Sequence, residues 1–382
     1  MAKKKDDAET QSFLQLRNEA IQAVNEDYKY LTAVTVDEIE EAYSHPRWCL
    51  PTGITLLDGA LGGGFYEGKI ARWFGAPAGG KTSCLLWSVA RAMSVGALCV
   101  YFDPELAFDA ARLQAFCEAQ KAPWRPELLT VVYPDHLEDM FNQLHYMLGH
   151  FHPVPKTMTK FHRPEFKQPI VVAMDTVSHC PTQYEYDLAR MAKGEISKVE
   201  GGGMSSRARS IKMAMRQLRK PLAVHGAALL VTEQEIASLA KFGPQTTTSG
   251  GGGLPYSCDQ SFKVRGGSPF QDPDTGREVG QIVTFSFEKT RFGSPRAKVE
   301  VPLYYERGFD NMESLYNFSV TNGLFQKDGN RYVLKDEATG EDFKFFGKNW
   351  REALSVDPWP EKIEELVKKN IDQIWVKKGR ES

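Results

Sequence analysis

Gly75-Ala76-Pro77-Ala78-Gly79-Gly80-Lys81-Thr82 fits the phosphate-loop pattern G-x-x-x-x-G-K-[ST] without substitution. Its flanks fit as well. Lys69-Ile70-Ala71-Arg72-Trp73-Phe74 reads as a short apolar strand, and Ser83 to Met93 reads as a helix. A strand, a glycine turn and a helix N-terminus converge backbone N–H groups on one point, where the positive end of the helix dipole adds to them. The pattern therefore predicts an anion cradle made by Gly75, Ala76, Pro77, Ala78, Gly79, Gly80, Lys81, Thr82 and Ser83. Lys81 would reach the outer phosphates, and the Thr82 hydroxyl would ligate Mg²⁺.

Working outward, short apolar runs alternate with helical patterns from about Leu50 to Tyr305. Leu98–Asp103, Leu129–Tyr133, Ile170–Asp175 and Ala228–Thr232 suit parallel strands covered on both faces. Helices are predicted at Asp109–Lys121, Leu137–Leu148, Gln183–Ala192 and Ser205–Leu218. The fold class is α/β, a doubly wound, mostly parallel sheet. Gln281–Arg291 and Lys298–Tyr305 alternate polar and apolar instead, so they predict an antiparallel hairpin turning at Arg291–Pro295.

Both ends differ from this core. Near the N-terminus, Gln11–Asn25 carries Leu14, Ile21 and Val24 on one helical face, Tyr28–Val36 alternates like a strand, and Asp37–Tyr43 reads as a short helix. Such a segment buries too little by itself and must pack on something else. After Phe309 the pattern predicts a helix at Met312–Asn322, a hairpin of Arg331–Lys335 with Asp342–Phe346, and helices at Asn349–Leu354 and Glu361–Val376. The division is residues 1–48, an oligomerisation segment; 49–308, the core; and 309–382, a small α+β lobe. Three irregular stretches interrupt the core: Glu200–Met204, Glu235–Leu254 with its run of four glycines, and the Pro- and His-rich His150–Gln168. A long glycine-rich loop inside a compact domain is usually functional.

The 382 residues carry 47 Lys and Arg against 49 Asp and Glu, a net charge of −2, so any nucleic-acid binding must come from local patches. No apolar run approaches the ~20 residues of a membrane span. The basic N-terminal residues have no apolar segment after them, which argues against a signal peptide. Six scattered cysteines without a C-x-x-C pair predict reduced, mostly buried thiols and a cytoplasmic location. His145, His150, His152 and His162 cluster, but without cysteines at ligand spacing they read as a surface loop rather than a zinc site.

Several residues stand where chemistry needs them. Asp175 ends an apolar strand, the arrangement that holds a Mg²⁺-bound water opposite the phosphate-loop hydroxyl. Glu105 follows Leu98–Asp103 and is a candidate to orient an attacking water, although spacing alone also allows a solvated loop glutamate. Gln234 follows the strand Ala228–Thr232 and opens the long loop, where an amide could report a γ-phosphate or merely end a strand. Arg207, Arg209, Lys212, Arg216, Arg219 and Lys220 crowd one helix. Arg209, Lys212 and Arg216 fall at i, i+3 and i+7 and so share a face, suited to phosphate-backbone contacts or to solvent.

Taken together, these residues resemble the RecA/UvsX family of DNA strand-exchange recombinases. Leu50–Gly64 is similar to the family's lead-in to the core, Asp103–Asp109 to its catalytic-glutamate segment, and Thr232-Glu233-Gln234 to its γ-phosphate sensor. Met204–Leu218 resembles the first DNA-binding loop and the helix behind it, and Phe242–Gly250 the second. The resemblance implies a RecA-type ATPase core, with Glu105 as catalytic base, Gln234 as sensor and Asp109 near the adenine. Lys289 and Arg291 would be cations that reach the neighbouring subunit's ATP. DNA contacts would come from Met204, Arg207, Arg209, Lys212 and Arg216, and from Leu239, Phe242, Thr248 and Gly250 in the second loop.

It further implies ATP and Mg²⁺ as cofactors and helical filaments on single-stranded DNA. Pairing with homologous double-stranded DNA would follow, with single-strand-binding and mediator proteins as further partners. Extra glycines in the second loop, the 150–168 insertion and the leading segment depart from the bacterial pattern and are closer in character to phage-encoded recombinases. A hexameric helicase on the same core, or a mediator that binds ATP without turning it over, would share the phosphate loop.

Overall fold

The computed structural model describes residues 11, 14–24, 33–41, 45–151, 168–191, 204–237, 246–248, 253–272, 274–294, 297–335 and 339–381. The strands are β1 (Cys49–Leu50), β2 (Phe65–Tyr66), β3 (Ile70–Gly75), β4 (Leu98–Phe102), β5 (Leu129–Val132), β6 (Ile170–Met174), β7 (Ala227–Ala237), β8 (Thr246–Thr248), β9 (Gln260–Gln271), β10 (Glu278–Thr290), β11 (Lys298–Tyr304), β12 (Gly308–Phe309), β13 (Gln326–Asp328), β14 (Arg331–Lys335) and β15 (Asp342–Phe346). From Thr55 onward the α-helices are α1 (Thr55–Leu61), α2 (Lys81–Ser94), α3 (Ala110–Ala119), α4 (Leu137–Phe151), α5 (Gln183–Met191), α6 (Met204–Val224), α7 (Gly253–Ser257), α8 (Asn311–Thr321), α9 (Trp350–Leu354) and α10 (Trp359–Glu381).

The central sheet runs β5-β4-β6-β7-β3-β9-β10-β11-β12, and β8 pairs with the far end of β7. Strands β5, β4, β6, β7, β3 and β9 are mutually parallel, and β10 to β12 continue the sheet antiparallel. The fold is thus the α/β architecture expected, with a mostly parallel sheet. Strand alternation explains why both faces are dry. On β4, Cys99 and Tyr101 enter the cluster that contains α2 and α3, while Val100 and Phe102 enter the one that contains α4 and α6. On β6, Val171 and Ala173 divide from Ile170, Val172 and Met174 in the same way. The C-terminal elements join the first cluster through Leu354, Ile363, Val367, Ile371 and Trp375. Gly59 on α1 leaves room for α10, since a Cβ there would sit 3.0 Å from Ile371.

Four differences from the sequence reading stand out. Residues 33–35 are not a strand and Val36–Glu41 is a 3-10 helix; the rest of the Tyr28–Val36 alternation lies outside the described residues. The strand through Ala228–Thr232 does not stop at Gln234 but continues to Ala237. There it pairs antiparallel with β8, so the stretch after Glu235 begins as a ribbon rather than as structureless loop. Strand β9 was not anticipated. Gly266, Gly267 and Pro269 mask its pattern, yet it forms a long ribbon with β10. Helix α6 runs to Val224, past Leu218, with Pro221 inside it.

A candidate nucleotide site at the carboxyl edge of the sheet

In open α/β sheets ligands gather outside the carboxyl ends of the parallel strands. Here that edge is formed by Gly75, Phe102, Met174 and the Val231–Gln234 part of β7. Gly75 must be glycine, because a Cβ would lie 2.1 Å from the Val264 carbonyl oxygen on β9. Gly80 sits at φ +97, a left-handed conformation that turns the chain into α2. Among the described residues no side chain caps α2, so the N–H groups of its first turn are left to whatever enters the cradle. Lys81 is buried, and its Nζ donates to the carbonyls of Gly75 at 3.1 Å and Ala76 at 2.7 Å. Burial pushes this ammonium below its ordinary pKa, and the nearby charges of Asp175, Glu105 and Glu235 oppose that shift.

Asp175 is held as an acceptor on both oxygens. Tyr101 donates to Oδ2 at 2.9 Å, and the Thr232 hydroxyl donates to Oδ1 at 2.5 Å. Thr82 and Ser83 lie on the first turn of α2, and Arg112 Nη2 donates to Ser83 Oγ at 2.8 Å. Asp109 caps α3 through Arg112 N, which keeps Arg112 beside that turn. Gln234 pairs in register with Gly75, and its N–H donates to Ser178 Oγ at 2.8 Å. Strand β4 is separated from β3 by β6 and β7, but its following turn carries Glu105 to the same edge. The Asp103 carboxylate fixes that turn by accepting from Ala107 N at 3.1 Å and Phe108 N at 2.8 Å. Glu105 Oε1 is hydrogen-bonded to His179 Nδ1.

This donor set fits a nucleoside triphosphate with Mg²⁺. A magnesium ion keeps most of its waters and takes one or two protein oxygens besides phosphate. Among the described residues no group of three or more His, Cys, Asp and Glu is arranged to hold a metal, whereas Thr82 and a doubly anchored Asp175 suit an ion brought in on phosphates. Of the clustered histidines, His145 and His150 lie on α4, and His152 and His162 lie outside the described residues.

Lys289 and Arg291 are not at this edge. Lys289 pairs with Ser261, which pairs with Arg72, three residues before Gly75. Lys289 Nζ donates to the Pro255 and Tyr256 carbonyls at 3.3 and 3.1 Å. Burial and the adjacent Arg291 charge lower its pKa. Arg291 pairs with Asp259 at 3.3 Å, and the Asp259 carboxylate accepts from Ile70 N at the opposite end of β3.

The basic helix divides. Arg209, Lys212 and Arg216 are all exposed, while Ile211, Ala214, Met215 and Leu218 are buried. Arg207 faces inward, donating to the Ser178 carbonyl at 2.9 Å and to Glu185 at 3.2 Å. Arg219 donates to the Ser257 carbonyl and to Asp259. The second-loop residue Thr248 pairs with Glu235; Leu239, Phe242 and Gly250 lie outside the described residues, and only the helical backbone of Met204 is described. Gly253 at the start of α7 packs on α6, where a Cβ would come within 2.9 Å of Lys212 Cβ. Sequence reasoning missed Tyr101, Arg112, Ser178 and His179. Tyr101 reads as one more apolar strand residue, and the other three gain meaning only from the strand order.

No family model matches the chain. Among curated proteins, it is similar to Protein RecA of Thermotoga maritima, 25% identical over 305 residues that cover 78% of this chain and 76% of the relative. Protein RecA of Borrelia hermsii is 26% identical over 294 residues, 76% of this chain and 74% of that one. Protein RecA of Thermus thermophilus is 27% identical over 328 residues, 85% of each chain. The chain is thus distantly similar to RecA proteins over most of its length, with the fold and the phosphate-loop edge described above.

Proposed function

We propose that this protein is an ATP-dependent recombinase that polymerises on single-stranded DNA and catalyses homologous pairing and strand exchange. One observation carries the reading. Gln234 lies in register beside Gly75, and the same strand runs unbroken into the ribbon with Thr246–Thr248, so a nucleotide sensor and a DNA loop share one element. The distant similarity to RecA proteins supports the ATPase and recombinase class.

In this reading ATP is the substrate, and Mg²⁺ screens its phosphate charge and polarises the bond that breaks. Lys81 and the N–H groups of the 75–83 cradle hold the phosphates, with Thr82 and Asp175 as the metal-side residues. Glu105 orients the attacking water, Gln234 senses the γ-phosphate, and Asp109 flanks the base. Lys289 and Arg291 serve the neighbouring subunit's site, which agrees with their distance from their own phosphate loop. Arg209, Lys212 and Arg216 grip the DNA backbone, leaving bases free to test a duplex by pairing. DNA and nucleotide then favour each other's binding through β7, as linkage requires. Residues 49–308 form the ATPase and DNA-binding core, 1–48 contribute to oligomerisation, and 309–382 form the smaller lobe. The phage-type character belongs to the same proposal and rests on the 150–168 insertion and the leading segment.

The test is ATP turnover with and without single-stranded oligonucleotide, combined with electron microscopy of the same mixtures. We expect DNA-stimulated hydrolysis and helical filaments. Lys81→Ala should lose turnover by about a hundredfold or more, the scale of losing a principal charge stabiliser. Closed rings that unwind duplex would point to a helicase instead. DNA binding without turnover would reduce the protein to an ATP-clamped mediator.

A further inference from the structure

The residues that follow Asp175 tie three parts of the molecule together. Thr176 Oγ1 donates to the Thr232 carbonyl at 2.7 Å and accepts from Ser178 N at 3.4 Å. Ser178 Oγ accepts from Gln234 N at 2.8 Å, and the Ser178 carbonyl accepts from Arg207 Nη1 at 2.9 Å. His179, the next residue, is hydrogen-bonded through Nδ1 to Glu105 Oε1.

The Glu105 backbone is already fixed. Asp103 caps the turn, and Leu106 takes a left-handed φ of 55 to complete it. The carboxylate itself stands on a flexible stem, and both it and His179 are partly solvent-exposed. A free glutamate there would sample several rotamers, most of them unproductive. An ionised carboxylate only accepts, so the proton of this bond sits on Nδ1 and His179 donates. The bond uses Oε1, so Oε2 is the oxygen left for water.

We propose that His179 is a positioning residue for Glu105. Its Nδ1–H fixes one carboxylate oxygen so that the other meets the attacking water. Through the adjoining Ser178, its placement also follows Gln234 and the Arg207 end of the DNA helix. This inference rests on the ATPase reading above and deepens it.

Two variants separate positioning from bulk. His179→Phe keeps a ring but has no donor, whereas His179→Asn keeps an amide donor near the Nδ1 position. The measurements are kcat and KM for DNA-stimulated ATP hydrolysis, and single-strand affinity with a non-hydrolysable ATP analogue. We expect His179→Phe to lower kcat by about tenfold, the cost of a loosened reacting group. His179→Asn should retain more than half of wild-type kcat, and KM and DNA affinity should stay within about twofold in both. Wild-type kcat in His179→Phe, equal losses in the two variants, or a loss confined to KM or DNA affinity would each overturn the proposal. Glu105→Gln is the control. If it also hydrolyses ATP normally, the site reading fails; if only Glu105→Gln is impaired, the role of His179 alone falls.

Discussion

At the scale of single residues, the phosphate loop is shaped by close approach. Gly75 ends β3 with the Val264 carbonyl against its Cα, so any Cβ would overlap that oxygen at 2.1 Å. The atom in the way is backbone of the neighbouring strand and cannot rotate aside. Gly75→Ala must therefore part β3 from β9 at the mouth of the cradle. We expect a loss of about 1–3 kcal/mol in stability, the usual cost of overpacking, and a weakened grip on nucleotide. Urea denaturation and titration with a fluorescent ATP analogue would measure the two. An unchanged midpoint would mean that the strands separate here at no cost. Residues whose proposed role lies in their own type, such as Lys81, Thr82 and Asp175, were legible in the sequence as candidates. His179 was not, because an isolated histidine acquires meaning only when β4 and β6 are neighbours in the sheet.

At the scale of elements, what made a strand legible was apolar continuity. Strands β3, β4 and β6 are dry on both faces and read as short hydrophobic runs. The far half of β7 hid because Glu233-Gln234-Glu235 looks like the beginning of a loop. The charges are compensated from other strands. Arg72 on β3 pairs with Glu233 at 2.7 Å, both fully buried, and Arg72 Nη1 also donates to Ser261 on β9 at 3.1 Å. Lys263 and Thr246 both donate to Glu235 Oε1, at 2.5 and 2.6 Å. Burial works to raise the Glu235 carboxyl, but those two hydrogen bonds, with the Lys263 and Arg265 charges, outweigh it and hold its pKa below the ordinary value. A buried pair broken on one side leaves an uncompensated charge, so Arg72→Ala should cost about 3–5 kcal/mol. Replacing both Arg72 and Glu233 by leucine should recover much of that loss. Chemical denaturation of the single and double variants is the check. If the double variant is no more stable than Arg72→Ala, the stranded charge is not what the single variant suffers from.

At the scale of the whole molecule, the register of the sheet keeps Lys289 away from its own phosphate loop. Lys289 is level with Arg72, and Arg291 pairs with Asp259 beside Ile70. Five residue steps of β3 separate Ile70 from Gly75, about 17 Å at the usual strand rise. In the proposed reading, the phosphate loop and the Lys289–Arg291 pair are two halves of a site that a head-to-tail neighbour joins. Heterologous contacts of that kind build open helices when the rotation does not close. Mixing two inactive variants tests this directly. Lys81→Ala lacks the phosphate half but keeps Lys289, and Lys289→Ala lacks the cation half but keeps Lys81. Each alone should be nearly inactive on single-stranded DNA. In a random one-to-one copolymer, about a quarter of the junctions place an intact Lys81 against an intact Lys289 from the next subunit. The mixture should then regain about a quarter of wild-type DNA-stimulated turnover, measured as phosphate release. If both halves acted within one chain, mixing would restore nothing, since neither variant holds a complete set.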